Sequence, residues 1–206
     1  FEHERLAVLY RMMKNDSFTV VSTPAAAFQL TMPPEKLAVR TIRLDRNSPI
    51  DTDELAIRLN GAGYRRCDMV ESCGQFALRG GILDVFGPGM EAPVRVEFFG
   101  DEVDAMGAFD LASQRRVHNM EQICLLPAGE VLPAMTPGGS TALAEKLEAM
   151  AGKLSNKKRS GSDELIGRLK ADAELLRQNA LRGGLDRYMA AIYEERAIPL
   201  EYLASD

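Results

Sequence analysis

The chain has 206 residues, 46% of them hydrophobic and 27% charged, so it can build a packed core and is long enough for two compact units. That composition excludes a disordered tail, and no apolar run reaches the roughly 18 residues of a membrane span. The net charge of −5 is unevenly spread: +2 over residues 1–50, −7 over 51–132 and zero over 133–206. A −7 block repels phosphate backbones and argues against general nucleic-acid binding.

The chain opens on Phe1 with no basic-then-apolar leader, so a non-secreted piece of a longer protein is expected. Cys67, Cys73 and Cys124 form no CxxC pair. Neither zinc nor a disulfide framework is expected, and a reducing cytoplasm fits. His3 and His118 stand far apart without convergent carboxylates and read as surface residues rather than ligands or bases.

In chain order, "EHERLAVLYRMMK" places Leu6, Leu9, Tyr10 and Met13 at helical spacing. "FTVVS" (18–22) reads as a short strand, "TPAAAFQL" as a turn and helix that "PPEKL" ends, and "LAVRTIRLDR" (37–46) as an alternating strand. Asp51 or Thr52 can cap a helix whose apolar stripe is Leu55, Ile57 or Ala56, and Leu59, stopped by Gly61 and Gly63. Closely spaced strands follow in "RRCDMVE", "GQFALRG", "GILDVFGPG", "VRVEFFGDEVDAMGAFD", "SQRRVHNMEQICLLP" and "GEVLP". From Ser140, a candidate N-cap, the chain turns helical: "STALAEKLEAMAGKL", then "DELIGRLKADAELLRQNAL", then "GLDRYMAAIYEERAIPLEYL" as a helix followed by a Pro-marked turn. The intervening "SNKKRS" (155–160) is a small basic loop, read as solvated rather than DNA-touching.

Catalytic signatures are missing from the sequence. There is no GxxxxGK[ST], GxSxG or HExxH, and Ser22 and Ser113 have no base at motif distance. Glu97, Asp101, Glu102 and Asp104 read as a solvated hairpin rim, not a metal or acid–base site. No catalytic residue, cofactor or metal is expected in these residues.

A different chemistry is written into "GQFALRGGILDVF" and "VRVEFF". Strand alternation sets Arg95, Glu97 and Phe99 on one face and Val94, Val96 and Phe98 on the other, which is the core face. Arg79 shares its face with Gln75 and Ala77 and opposes Phe76 and Leu78. If the strands pair, Arg79 joins Arg95 on one surface. Arg beside an exposed aromatic is the composition of interface hot spots. The plainer reading is that Arg95 pairs with Glu97 or a cross-strand acid, Phe99 tucks under a loop, and Gly80–Gly81 is a bulge whose Arg merely reaches solvent.

The ordered run "GYRRCDMVESCGQFALRGGILDVFGPGMEAPVRVEFFGDEVDAMGAFDLASQRR" closely resembles the UvrB-homology module of bacterial transcription-repair coupling factors, the Mfd family. "LLPAGEVL", "DRYMAAIYEERAIPLEYL" and "ERLAVLYRMMK…FTVVSTPAAAFQL" extend the likeness to nearly the whole chain. UvrB is the competing relative, but it has Arg-Gly-Asp and Glu-Ile-Phe where this chain has "RGGILDVF", and its aromatic DNA-clamping hairpin is not in these residues.

The resemblance implies a mixed fold, α/β and α+β. Residues 1–47 would end the first part of a degenerate helicase-like lobe, 48–132 would be an inserted α+β domain on an antiparallel sheet, and 133–206 a helical return into the lobe. It implies a non-catalytic module that recruits UvrA to stalled transcription complexes in nucleotide excision repair. Arg79, Arg95 and Phe99 match the family's UvrA-contacting positions, and Arg66 matches an Arg that UvrB uses. Ala77 stands where UvrB carries a further Arg. ATP, RNA polymerase and double-stranded DNA would belong to other parts of a longer ATP-dependent translocase, which also covers the docking face until it acts. No membrane contact is implied. The alternative is a fragment of a UvrB-like DNA-binding, ATP-using repair protein.

Overall fold

Leu6, Leu9 and Met12 form the buried stripe of α1 (Glu2–Met13), which carries acidic Glu2 and Glu4 in its first turn and Arg11 in its last, as the helix dipole favours. The computed structural model describes residues 2–14, 17–156, 161–178 and 184–203. Two units make up the chain: residues 1–130 with 197–206, and residues 131–196.

The expected strand at 18–22 does not form; Val20 and Val21 lie in irregular, exposed chain. A strand is a pairing state, and this run has no ladder partner among the described residues. Thr23 caps the single-turn α2 (Pro24–Ala27) by accepting from the Ala26 N–H. "PPEKL" starts a helix rather than ending one. Pro34 sits at the first position of α3 (Pro34–Arg40), where its missing N–H costs nothing, so residues 37–40 are helical and the strand shrinks to β1 (Ile42–Asp45). Asp51, not Thr52, caps α4 (Thr52–Gly61), accepting from the N–H groups of Asp53 and Glu54. The buried stripe of α4 is Leu55, Ala56 and Leu59, with Ile57 exposed.

Six strands then make one sheet in sequence order: β2 (Arg65–Arg66), β3 (Gln75–Arg79), β4 (Ile82–Phe86), β5 (Val94–Phe99), β6 (Glu102–Phe109) and β7 (Arg116–Met120). All neighbours are antiparallel except β2 and β3, which are parallel. Residues 67–73 of "RRCDMVE" and beyond leave the sheet as a loop, tied down where the buried Gln75 Oε1 accepts from the Glu71 and Ser72 N–H groups. β8 (Gln122–Leu125) leaves the sheet and pairs with β1. One face of the sheet, through Phe76, Leu83, Val85, Val94, Val96, Val103 and Met106, clusters with α4 and with Ile42, Leu44, Ile123 and Leu125 of the β1–β8 ladder.

Gly80–Gly81 is a hairpin turn, not a bulge: Arg79 pairs with Ile82, and Gly80 takes φ +57°, the positive value that a two-residue hairpin loop demands. Gly81 also admits the neighbouring hairpin, accepting from the Phe98 N–H at 2.8 Å. The bulges lie elsewhere. Asp104 is the extra residue opposite Glu97–Phe98, and Val117 the extra residue opposite Ala108–Phe109.

"GEVLP" forms no strand. Glu130 is buried, receives Arg5 and the Thr31 hydroxyl, and takes the Glu2 carboxylate on its own N–H. Burial pushes its carboxyl above the ordinary range despite the Arg5 charge. Thr31 bridges Ala197, and Tyr202 donates to the Met32 carbonyl at 2.5 Å, so residues 197–203 close back onto the first unit.

The second unit packs α5 (Gly139–Asn156) on α6 (Asp163–Arg177) through Leu143, Ala144, Leu147 and Ala151 against Leu169, Ala173 and Leu176. α5 begins one residue before the expected cap Ser140. Residues 157–160 of the basic loop lie outside the described residues. The expected last helix is broken into a 3₁₀ turn (Leu185–Tyr188), the short α7 (Met189–Ile192) and a 3₁₀ turn at Pro199–Leu203. Tyr193 turns extended after α7, and Pro199 cannot continue a hydrogen-bonded helix.

A methyl group on Gly107 of β6 would collide with the His118 carbonyl oxygen of β7. Gly107→Ala is therefore expected to cost about 2 kcal/mol and lower the melting temperature by several degrees in a calorimetric scan.

Candidate protein-docking site

Asp84 stands in β4 between the buried Leu83 and Val85, and strand alternation turns it to the face away from the core. The register sets Ala77, Asp84, Arg95 and Gly107 in one row across β3, β4, β5 and β6. Ala77 and Gly107 are small, so the central places in the row go to the acid and the Arg. Asp84 is only 2% exposed, and a carboxylate removed from water in this way requires a cation with matching donors.

Arg95 supplies them. Its Nε donates to Asp84 Oδ1 at 2.6 Å and its Nη2 to Oδ2 at 2.9 Å, the two-pronged geometry that Arg shares with carboxylates. The same Nη2 donates to Gln114 Oε1 at 3.1 Å, and the guanidinium lies 4.7 Å from the centre of the Phe109 ring. Gln114 is itself held by a tight turn: its φ is +59°, its N–H donates to the Asp110 carbonyl, and its Nε2 donates to Leu111 O. The hydrogen bonds to Asp84 push the Arg95 guanidinium above even its ordinary value. Its side chain keeps 24% exposure.

Arg79 reaches the same acid from the end of β3. Its Nη2 lies 3.3 Å from Asp84 Oδ2, a longer and one-pronged contact, and its side chain is 57% exposed. The trio carries one net positive charge. In the next row, Ile82 of β4 pairs with Glu97 of β5, and Glu97 forms an ion pair with Arg116. Phe99 does not tuck under a loop: at the end of β5 it is 83% exposed. Ile82 is partly exposed on the same face. One end of the sheet thus offers a cation with unused donors, a large aromatic ring and an aliphatic side chain, with a second cation locked behind them.

Arg66 is not brought to this group. β2 aligns it with Phe76, whose side chain enters the core, so it belongs to the other side of the sheet, at its edge. Ala77 is buried beside Asp84. Sequence reasoning singled out Arg79, Arg95 and Phe99 but not Asp84, Ile82, Phe109 or Gln114. For Asp84 the signal was present: an acid inside the apolar run "ILDVF" needs a partner. Gln114 arrives from a turn nineteen residues from Arg95, and nothing local announces it.

Among the described residues, no group of three His, Cys, Asp or Glu is placed to hold a metal ion, and no helix is long and apolar enough to cross a membrane.

Residues 42–130, which hold this face, match the family model described as the UvrB interaction domain. This segment of the chain belongs to that family. Over 97% of its length the chain is 31% identical to a transcription-repair-coupling factor of Bacillus subtilis. It is 38% identical over 63% of its length to that of Myxococcus xanthus, and 35% identical over 61% to that of Escherichia coli. The chain spans only 17%, 11% and 11% of those relatives, so it corresponds to a segment of them.

Removing Arg95 leaves Asp84 buried with one distant cation, whereas removing Arg79 leaves the two-pronged pair intact. Arg95→Ala is expected to cost about 3 kcal/mol in urea unfolding. Arg79→Ala, an exposed single contact, is expected to cost less than about 1 kcal/mol.

Proposed function

We propose that this chain is a non-catalytic docking module of a transcription-repair coupling factor, and that the exposed end of its sheet binds UvrA. The observation that carries the reading is Phe99 exposed at the same end of the sheet as Arg79, inside the family-matched segment 42–130. A surface-exposed Phe and Ile beside an Arg is costly to leave in water and is the composition that protein interfaces bury at their centres. Arg79 and Phe99 make the contact, Ile82 widens the apolar patch, Arg95 backs them, and Arg66 has at most an edge role. UvrA is drawn from the family resemblance of the motif residues, and so is recruitment to stalled transcription complexes.

On the same reading residues 1–47 and 133–206 are parts of a degenerate helicase-like lobe around an inserted domain at 48–132. ATP-driven translocation and contacts to RNA polymerase and double-stranded DNA are functions of the longer protein. No cofactor is assigned to these residues.

Calorimetric titration of this chain with UvrA tests the proposal. Binding is expected for the parent chain, with Arg79→Ala and Phe99→Ala each costing about 2 kcal/mol, or roughly thirtyfold in Kd, while the circular dichroism stays unchanged. A folded parent that does not bind UvrA would falsify the reading.

A further inference from the structure

We propose that Asp84 is the positioning residue of the docking face: it holds one edge of the Arg79 guanidinium so that the opposite edge grips a carboxylate of the partner. The inference rests on the UvrA-docking reading.

The two arginines are not equivalent. Arg95 has its Nε and Nη2 on Asp84, its Nη2 also on Gln114, and its flat face on Phe109. It is a strut. Arg79 places only one amino group on Asp84, and most of its side chain lies in solvent. A guanidinium has five N–H donors in a planar fork, so a contact through one amino group leaves a second edge for an outside acceptor. The carboxylate is shared by two cations, and the surplus positive charge sits on the more exposed of them.

The approach to that edge is open. A side-chain carbon added at Gly80 would find no atom within 4 Å. The matching acceptor is planar and anionic, an Asp or Glu side chain on the partner, which Arg engages through two parallel hydrogen bonds. Anchoring to Asp84 restricts Arg79 before the partner arrives, and this lowers the entropy that binding must take from a long flexible side chain.

The test is calorimetric titration with UvrA of the parent chain, Asp84→Asn, Arg79→Ala, Arg79→Lys and the double variant Asp84→Asn with Arg79→Ala, each checked for folding by circular dichroism. Arg79→Ala is expected to lose at least tenfold in affinity. Asp84→Asn should lose a similar factor, and the double variant no more than Arg79→Ala alone, because Asp84 acts through Arg79. A residue with a merely structural role would instead add its loss to that of Arg79. The proposal is overturned if folded Asp84→Asn binds like the parent, or if the two losses multiply. Should Asp84→Asn fail to fold, Arg79→Lys decides: it keeps the charge but lacks the fork, so a tenfold loss supports the proposal and parental affinity overturns it. Those results leave UvrA docking itself standing. Absence of binding by the folded parent removes the docking reading and the role of Asp84 with it.

Discussion

A carboxylate sealed against a sheet must be neutralised, and Asp84 organises the exposed face of this domain around that requirement. With 2% of its surface in water, it draws Arg95 into a two-pronged pair and Arg79 into a looser one. Everything around the pair follows from keeping it satisfied. Ala77 and Gly107 leave the row uncrowded, Phe109 floors the Arg95 guanidinium, and the turn at 110–114 brings Gln114 to its remaining edge.

The opposite face works by a simpler rule. Val94 and Val96 of β5, Leu83 and Val85 of β4, and Phe76 of β3 are shielded from water by α4 and by the β1–β8 ladder. Because side chains alternate along a strand, burying this set commits the charged set to the other side. The register then decides which charges meet: a slip of one residue in β4 against β5 would part Asp84 from Arg95. The β4–β5 ladder, from Val85 opposite Val94 to Ile82 opposite Glu97 and on to the Phe98 N–H on the Gly81 carbonyl, holds that register, and both tips of the paired hairpins carry the exposed residues. Stability and recognition are therefore separable here. The strut Arg95 belongs to the first, and Phe99, exposed and unneeded by the core, to the second.

The similarity to transcription-repair-coupling factors spans nearly the whole chain, yet only 42–130 match the interaction-domain family. That segment is also where the acidic surplus of the chain lies. An acidic domain whose Asp84 cluster carries a net positive charge beside exposed apolar side chains has the composition of a protein-binding surface facing an acid.

Much of the central domain was legible in the sequence by itself. Alternation in "VRVEFF" separated core from surface, although in "QFALR" Gln75 and Ala77 of the outer face are buried as well; the cap of α4 was narrowed to Asp51 or Thr52 and its stripe to Leu55, Leu59 and one of Ala56 and Ile57, and the motif residues carried the family. Short-range patterns have this power because they report which side of an element is dry. The sequence misled where structure depends on a distant partner. "FTVVS" has strand composition but no ladder partner among the described residues, "PPEKL" starts a helix, and Glu130 of "GEVLP" is held by Arg5 and Thr31 from far up the chain. The same holds at the site. Sequence named Arg79 and Arg95 as neighbours on one face, but only the tertiary structure decided that they share Asp84 and that Arg95 is locked by Gln114 and Phe109 while Arg79 is not. The physical reason is that a hydrogen bond between residues far apart in the chain is set by register and loop closure, neither of which leaves a local mark on the sequence.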